Sequence, residues 1–305
     1  MSTHDRPESL RRAVEALLRQ TAPPHELIIV NDGQTDVDGR LAAGCGRRGI
    51  PVTYRLLDRP SLTASRNAGI DLAAGDVVLL LDDDVLMPPD YLERLAWLYE
   101  MDRRGVIAGI GGVLMPAEAP RWTHRLWAAM AGATAENRWG PRRCVARYVR
   151  LGAKLTGQLQ PARRLSGGAI SLRTAVARRR PLTESFNGYC LGEDTELTFR
   201  LTQLLPLYRG PSLQLLHNSG AGGRPDLGRR GKMYAANMLA IYRQATEGGA
   251  GTALLLGYHL AGLAVMSAAW SLISRRAGNL AFAAGLVGEL ARQGLGRLRR
   301  ITCGR

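Results

Sequence analysis

A chain of 305 residues that is 46% hydrophobic and 22% charged has room for one large α/β domain, or for a domain with an appendage. The net charge of +15 is carried almost entirely by Arg, because Lys154 and Lys232 are the only lysines, and Arg favours bidentate contact with phosphate and similar anions. Cys45, Cys144, Cys190 and Cys303 have no metal-ligand spacing, which tells against a zinc module and a disulfide framework and fits a reducing compartment.

Residues 1–19 contain no apolar core of a secretory signal, so the functional part is expected to face the cytosol. Over residues 8–20, Leu10, Val14, Leu17 and Leu18 share one helical face, with Ser9 as a candidate N-cap after Pro7 and Pro23-Pro24 as the stop. Residues 27–30 read as a short apolar strand ending in Asn31-Asp32-Gly33, residues 51–56 as another strand, and residues 65–74 as a helix broken by Gly75. Residues 77–81 form a uniform apolar run, the pattern of a strand covered on both faces.

That run meets Asp82, Asp83 and Asp84 with no room for a helical turn. Carboxylates crowded at the end of a buried strand repel one another unless cations or donors offset them. Hard divalent cations bind one or two carboxylates together with substrate phosphates, so the triplet reads as a metal-diphosphate site. The competing reading is a solvated acidic turn.

Pro88-Pro89 then opens a helix reaching Glu100, and residues 106–115 return to the sheet. The alternation of strands and helices predicts an α/β fold with a mostly parallel sheet flanked by helices. The pattern weakens over 117–165, where Trp122, Trp127 and Trp139 lie among many Arg. It resumes at Ser166-Gly167-Gly168, with helices over 174–178 and from Gly192 to Leu204.

Residues 248–274 hold no Asp, Glu, Lys or Arg and are long enough to cross a bilayer, the alternative being a buried core helix. A second apolar stretch at 279–290 and a basic tail from Arg292 to Arg305 follow. Apolar segments edged by Arg point to an anionic cytosolic leaflet. The expected division is residues 1–115, residues 116–247, and an apolar, basic helical region over 248–305 that associates with membrane.

Four segments stand in a recognisable order: Thr3-His4-Asp5-Arg6-Pro7; Ile28-Ile29-Val30-Asn31-Asp32-Gly33; Ala64-Ser65-Arg66-Asn67-Ala68-Gly69 with Leu81 to Asp84; and Gly192-Glu193-Asp194-Thr195-Glu196-Leu197. In this the chain resembles the family 2 glycosyltransferases over residues 2 to 220. The resemblance implies a GT-A-like (nucleotide-diphospho-sugar transferase) fold, with a nucleotide-sugar-binding half over 1–115 and an acceptor-binding and catalytic half over 116–247, and an inverting, hexosyltransferase-type enzyme of polysaccharide biosynthesis. It also implies a nucleotide-diphosphate sugar donor, a glycan or lipid-linked acceptor, Mg²⁺ or Mn²⁺, a membrane location on the cytosolic side, and no nucleic-acid partner.

By position, Thr3, His4 and Asp5 match the loop that holds the nucleoside base, with His4 where many relatives carry Tyr. Asp32 matches the acidic residue bonded to the base, and Arg66 with Asn67 the signature that helps hold the nucleotide. Asp82 and Asp84 match the outer, metal-site positions of the DxD motif, with Asp83 between them on the donor side. Glu193 and Asp194 match the acceptor-side acidic pair, Asp194 being the base. His217 lies where relatives carry a His near the metal or the diphosphate. Read singly, these residues keep plainer alternatives: Asp194 as a helix cap, Asp32 as a turn residue, Arg66 as a surface residue, His4 and His217 as structural histidines.

Relatives place a buried apolar strand just before the position of Thr3, where this sequence has Met1. Lack of a central strand would uncover sheet edges and apolar surface. Two other functional readings stand behind the glycosyltransferase. A nucleotidyltransferase would need a Gly-rich phosphate loop near the first strand, which residues 1–10 lack. A non-catalytic Arg-rich module for nucleic acid or membrane fits the charge, but its acidic clusters would repel phosphate.

Overall fold

The computed structural model describes all residues except 36–38, 117–140, 142, 185, 187–189, 219–225, 246–249, 276 and 303–305. The segment with Trp122, Trp127 and Trp139, most of the 185–191 loop, and Cys303 therefore lie outside the described residues. Two units form, one within Met1–Ala119 and Pro141–Gly223, the other including Arg224–Arg305.

The first unit opens with a two-residue strand β1 (Ser2–Thr3) and helix α1 (Pro7–Leu18). The helix starts at Pro7, not after Ser9: Pro needs no N–H at the first helical position, so Arg6 becomes the N-cap residue. Leu10, Ala13, Val14 and Leu17 form its buried stripe. There follow β2 (Leu27–Asn31), α2 (Gly39–Arg47), β3 (Val52–Leu56) and α3 (Leu62–Leu72). In α3 the Ser61 hydroxyl accepts the Ala64 amide, capping the helix several residues ahead of where its sequence periodicity begins.

Next come β4 (Val77–Leu81), β5 (Val85–Leu86), α4 (Tyr91–Met101) and β6 (Gly109–Pro116). Among the described residues this unit continues with a 3-10 turn (Val145–Tyr148), β7 (Gln160–Pro161), β8 (Ala169–Arg173), α5 (Thr174–Arg179), α6 (Glu193–Thr202) and β9 (Leu207–His217). Strands β1, β2 and β3 form a parallel sheet, as the alternating pattern predicts. The second sheet runs β4-β8-β6-β9-β5, with β7 on β9, and is mixed. There β8 is antiparallel to both β4 and β6, whereas β6 and β9 are parallel. Thus β4, β6 and β9 point one way, and their carboxyl ends lie along one edge. An isolated parallel bridge, Ser2 to Asp82, links β1 to the end of β4.

Ser2 and Thr3 pair with Val30 and Asn31, but no strand continues beside the rest of β2 among the described residues. A cavity of about 670 Å³ lies there, lined by Leu27, Ile28, Val77, Leu79, Leu81, Leu95 and Tyr99 among others. The Met1 ammonium donates to the Ile28 carbonyl at 2.7 Å, and burial pushes its pKa down to about 6. Cys45, Cys144 and Cys190 are buried thiols.

The second unit is helical: α7 (Leu227–Ala245), α8 (Ala250–Ser274) and α9 (Ala277–Thr302). Gly231 on α7 faces the Phe282 carbonyl of α9, and Gly285 on α9 faces the Gly228 carbonyl of α7, so closely that a Cβ at either position would collide with backbone. Tyr234 Oη and His259 Nε2 lie 2.7 Å apart and join α7 to α8. The stretch Ala250–Ile273 is long and apolar enough to cross a membrane, and Leu254, Val265, Leu272 and Ile273 on it are exposed.

Candidate active site

The carboxyl ends of β1, β2, β4 and β9 carry Thr3, Asp32, Asp82 and His217, the edge where α/β sheets place ligands. Val85 pairs with His217, which brings the end of β9 beside the acidic triplet. Helix α6 starts at Glu193 behind the N-cap Gly192, and every residue of it except Arg200 is buried. The distant motifs therefore meet.

Arg66 makes the junction. Only 4% exposed, it donates from Nη1 to Glu193 Oε1 at 2.8 Å and from Nη2 to Asp82 Oδ1 at 2.7 Å and to the Gly167 carbonyl at 3.0 Å. A buried guanidinium between two carboxylates is a matched arrangement for its planar fork. Gly167 is packed so tightly that a Cβ there would lie 3.0 Å from Glu193 Oε1 and 3.1 Å from Asp194 Cβ.

The two acids of α6 differ. Burial pushes Glu193 up to about 7, against the opposing pull of Arg66 and with help from neighbouring Asp194 and Asp82. Burial also works against ionisation of Asp194, but its partners outweigh it and its carboxyl lies below the ordinary range. Asp194 Oδ2 accepts from Arg164 at 3.2 Å and from the Gly167 amide at 2.9 Å. Its Oδ1 accepts from the Thr195 amide at 2.6 Å and the Thr195 hydroxyl at 3.1 Å. The position of Asp194 in the first turn of α6 favours the anion as well.

In the triplet, Asp83 is fully buried, and burial pushes it up to about 7 although Arg6 and Thr3 oppose this. Its Oδ2 accepts from the Thr3 hydroxyl at 2.7 Å, and its Oδ1 lies 2.7 Å from Arg6 Nη2. Asp84 Oδ2 accepts from Arg6 Nη1 at 2.9 Å, and Asp84 Oδ1 lies 3.5 Å from His217 Nε2. No group of three His, Cys, Asp or Glu side chains is arranged to hold a metal among the described residues. The facing Asp84 and His217 form a two-ligand set, which suits a hard cation that completes its shell with substrate oxygens and water.

On the loops after β1 and β2, His4 Nδ1 lies 3.0 Å from Asp32 Oδ1, and the Ser61 amide donates to Asp32 Oδ2 at 2.7 Å. Asp5, at a φ of 50°, accepts the Gln34 and Thr35 amides, and these bonds, Thr35 foremost, hold its carboxyl below the usual range. The structure thus brings Thr3, Arg66, Asp82, Asp83, Asp84, Glu193, Asp194 and His217 into a connected set, with His4, Asp5 and Asp32 on the adjoining loops. Asn67 is committed elsewhere: its amide donates to the Leu182 carbonyl and Glu184 and accepts the Leu182 amide, tying down the segment before α6.

Sequence reasoning passed over Arg6, Arg164 and Gly167. Arg6 sat inside a quoted motif, and Arg163-Arg164 stood as a basic pair just before Ser166-Gly167-Gly168, so a search for counter-charges near the acids would have found both arginines.

Residues 1–151 match the family model described as glycosyl transferase family 2. A glucosyl-dolichyl phosphate glucuronosyltransferase of Haloferax volcanii is 35% identical over 112 residues, covering 37% of this chain and 35% of that protein. An undecaprenyl-phosphate 4-deoxy-4-formamido-L-arabinose transferase of Pseudomonas fluorescens is 38% identical over 91 residues, 29% of this chain and 26% of that one. The chain thus spans about a third or less of the length of these curated relatives. A mannosyltransferase from Pyrobaculum calidifontis, solved with GDP-Man and Mn²⁺, superposes over 95% of this chain and 85% of its own, with a TM-score of 0.55 at 12% identity. GalNAc-T7, solved with UDP, GalNAc and Mn²⁺, covers 73% of this chain and 44% of its own at a TM-score of 0.52 and 14% identity. Residues 1–151 thus carry the match to glycosyl transferase family 2, and the fold of the chain is GT-A-like.

Proposed function

We propose that this glycosyltransferase moves one sugar, with inversion, from a nucleotide-diphosphate donor to a lipid-linked or glycan acceptor at the cytosolic face of a membrane. The observation that carries the reading is Arg66, which holds the donor-side Asp82 and the acceptor-side Glu193 on one guanidinium. Two of the similar proteins are named for dolichyl and undecaprenyl phosphate, which supports a lipid-linked acceptor. The exposed apolar face of α8 supports membrane attachment, since 24 residues at about 1.5 Å each exceed a hydrocarbon core of about 30 Å.

Asp194 is assigned as the base that takes the proton of the acceptor hydroxyl, which is a poor nucleophile until it is deprotonated. Three of its four donors come from the Gly167 backbone and Thr195, and they fix the carboxylate in place. The fourth, Arg164, lies on a side chain that is 28% exposed, so an entering hydroxyl can take its place. Glu193, with a carboxyl near neutrality, sets the charge beside the base. His4, Asp5 and Asp32 are assigned to the nucleoside, and Arg66 and Asp82 to the diphosphate side of the cleft.

A divalent ion would be held by Asp84 and His217, with Asp82 nearby, and when bound it supplies electrostatic stabilisation to the departing diphosphate. Arg66 adds fixed positive charge beside the same group. A donor screen tests the proposal: purified protein in detergent, a panel of nucleotide sugars, with and without Mn²⁺, reading nucleotide release. Release from one class of donor, dependent on the cation, is the expected result. No release from any donor, or equal release with cation and with chelator, removes it.

A further inference from the structure

Arg6 is the least expected member of the site. It precedes Pro7 as the N-cap residue of α1, and its guanidinium spans Asp83 Oδ1 at 2.7 Å and Asp84 Oδ2 at 2.9 Å. Asp83 is fully enclosed and Asp84 is 5% exposed, so this cation is a close counter-charge to two carboxylates with little access to water. Its fit is incomplete, because Arg6 Nε is buried with no hydrogen-bond partner among the described residues. A buried donor left unmade is costly, so the arrangement gives way easily when a competing anion arrives.

The same guanidinium opposes a metal. An ion bound between Asp84 Oδ1 and His217 Nε2 would share Asp84 with Arg6, which already holds the other carboxylate oxygen. Two positive groups on one carboxylate repel, and among the described residues no ready three-ligand group offsets this. A diphosphate changes the balance by adding negative charge that both cations can share. We propose that Arg6 is a positioning residue that serves as resident counter-cation of Asp83 and Asp84 in the donor-free protein, making divalent-metal binding conditional on the nucleoside diphosphate. The inference rests on the nucleotide-sugar reading given above. By linkage the coupling is mutual: metal tightens nucleotide as much as nucleotide tightens metal.

The test is a Mn²⁺ titration of full-length protein in detergent, read by the electron paramagnetic resonance of the free ion. It is run alone and with UDP, GDP, ADP, CDP or dTDP, after correction for chelation by the nucleotide itself. Wild-type protein should bind Mn²⁺ at least about tenfold more tightly with its nucleotide, the size expected for one unit charge a few ångströms from a doubly charged ion in a water-like medium. Arg6→Gln should bind Mn²⁺ alone about tenfold more tightly than wild type and lose most of the nucleotide effect. A folded Arg6→Gln with wild-type Mn²⁺ affinity and wild-type coupling overturns the role of Arg6 and leaves the donor reading standing. Wild-type protein that takes neither Mn²⁺ nor any nucleoside diphosphate overturns both. If Arg6→Gln fails to fold, Arg6→Lys carries the test. Its ammonium is compact and cannot span two carboxylates, so nucleotide-free Mn²⁺ binding must tighten by about threefold, and unchanged binding is a refutation.

Discussion

Arg66 Nη1 and Glu193 Oε1 lie 2.8 Å apart, joining helix α3 to the start of α6 in a place closed to solvent. Removing one partner of such a pair leaves a buried charge without compensation, which costs about 3–5 kcal/mol. Arg66→Met should therefore lower stability by about that amount and abolish sugar transfer, as measured by urea unfolding and by nucleotide release. A variant as stable as wild type would show that Glu193 and Asp82 find other partners.

Asp194→Asn keeps the shape of the side chain and its place beside Gly167 and Thr195 but removes the proton acceptor. Transfer should fall by about 10²–10⁴-fold, with nucleotide affinity within a factor of about two of wild type. The comparison is between product formation and a nucleotide titration on the same sample. Undiminished transfer would mean that another group takes the proton.

The pH dependence of stability follows from two buried acids. Glu193 and Asp83 are each pushed up to about 7 in the folded protein, against ordinary values of 4.5 and 3.8. Between the unfolded and folded values the native state binds more protons than the unfolded chain, so stability falls as pH rises. This contribution is fully present below the unfolded values and is lost on passing through about 7. The Met1 ammonium, down to about 6 from 8.0, acts the other way between those values. Urea midpoints should drop on going from about pH 5 to about pH 6.5, and a Glu193→Gln/Asp83→Asn double variant should flatten that slope.

The slot beside β2 makes a different prediction. Its walls are mostly apolar, with Glu26, Arg66 and Arg173 among the lining residues, and β1 already sets a register, Ser2 opposite Val30 and Asp82. Fusing roughly five apolar, β-branched residues ahead of Met1 should let them pair with β2 and fill the cavity, each contributing about 1.5–3 kcal/mol before the entropy of ordering is subtracted. A rise in melting temperature of at least about 3 °C is expected, with no rise for a Gly-Ser extension of equal length.

Val265 is 66% exposed near the middle of α8. Val265→Asp should release the protein from anionic vesicles in a flotation assay, because an added charge costs about 2.5–3.5 kcal/mol at the centre of a spanning helix. Equal flotation of the variant would assign the attachment to other residues.

Much of this fold was legible because its signals are local. The apolar run over Val77–Leu81 and the amphipathic face of α1 needed only periodicity. The mixed pairing of the second sheet was not legible, because β8 reaches β4 across more than eighty residues and nothing in its composition encodes direction. Within the site, residue types announced the acids, and the order of motifs brought them together. Arg6 and Arg164 escaped notice because a chain rich in Arg offers many surface cations, and only their contact with the buried Asp83, Asp84 and Asp194 marks these two out. Asn67 shows the converse: its motif drew attention to the donor, while its hydrogen bonds serve the Leu182 segment.

The contact of α7 with α9 through Gly231 and Gly285 rests on main chain meeting main chain. Association of that sort draws on dispersion and close fit and owes little to the expulsion of water. This part of the seam can accordingly hold its fit in an aqueous setting and among acyl chains alike.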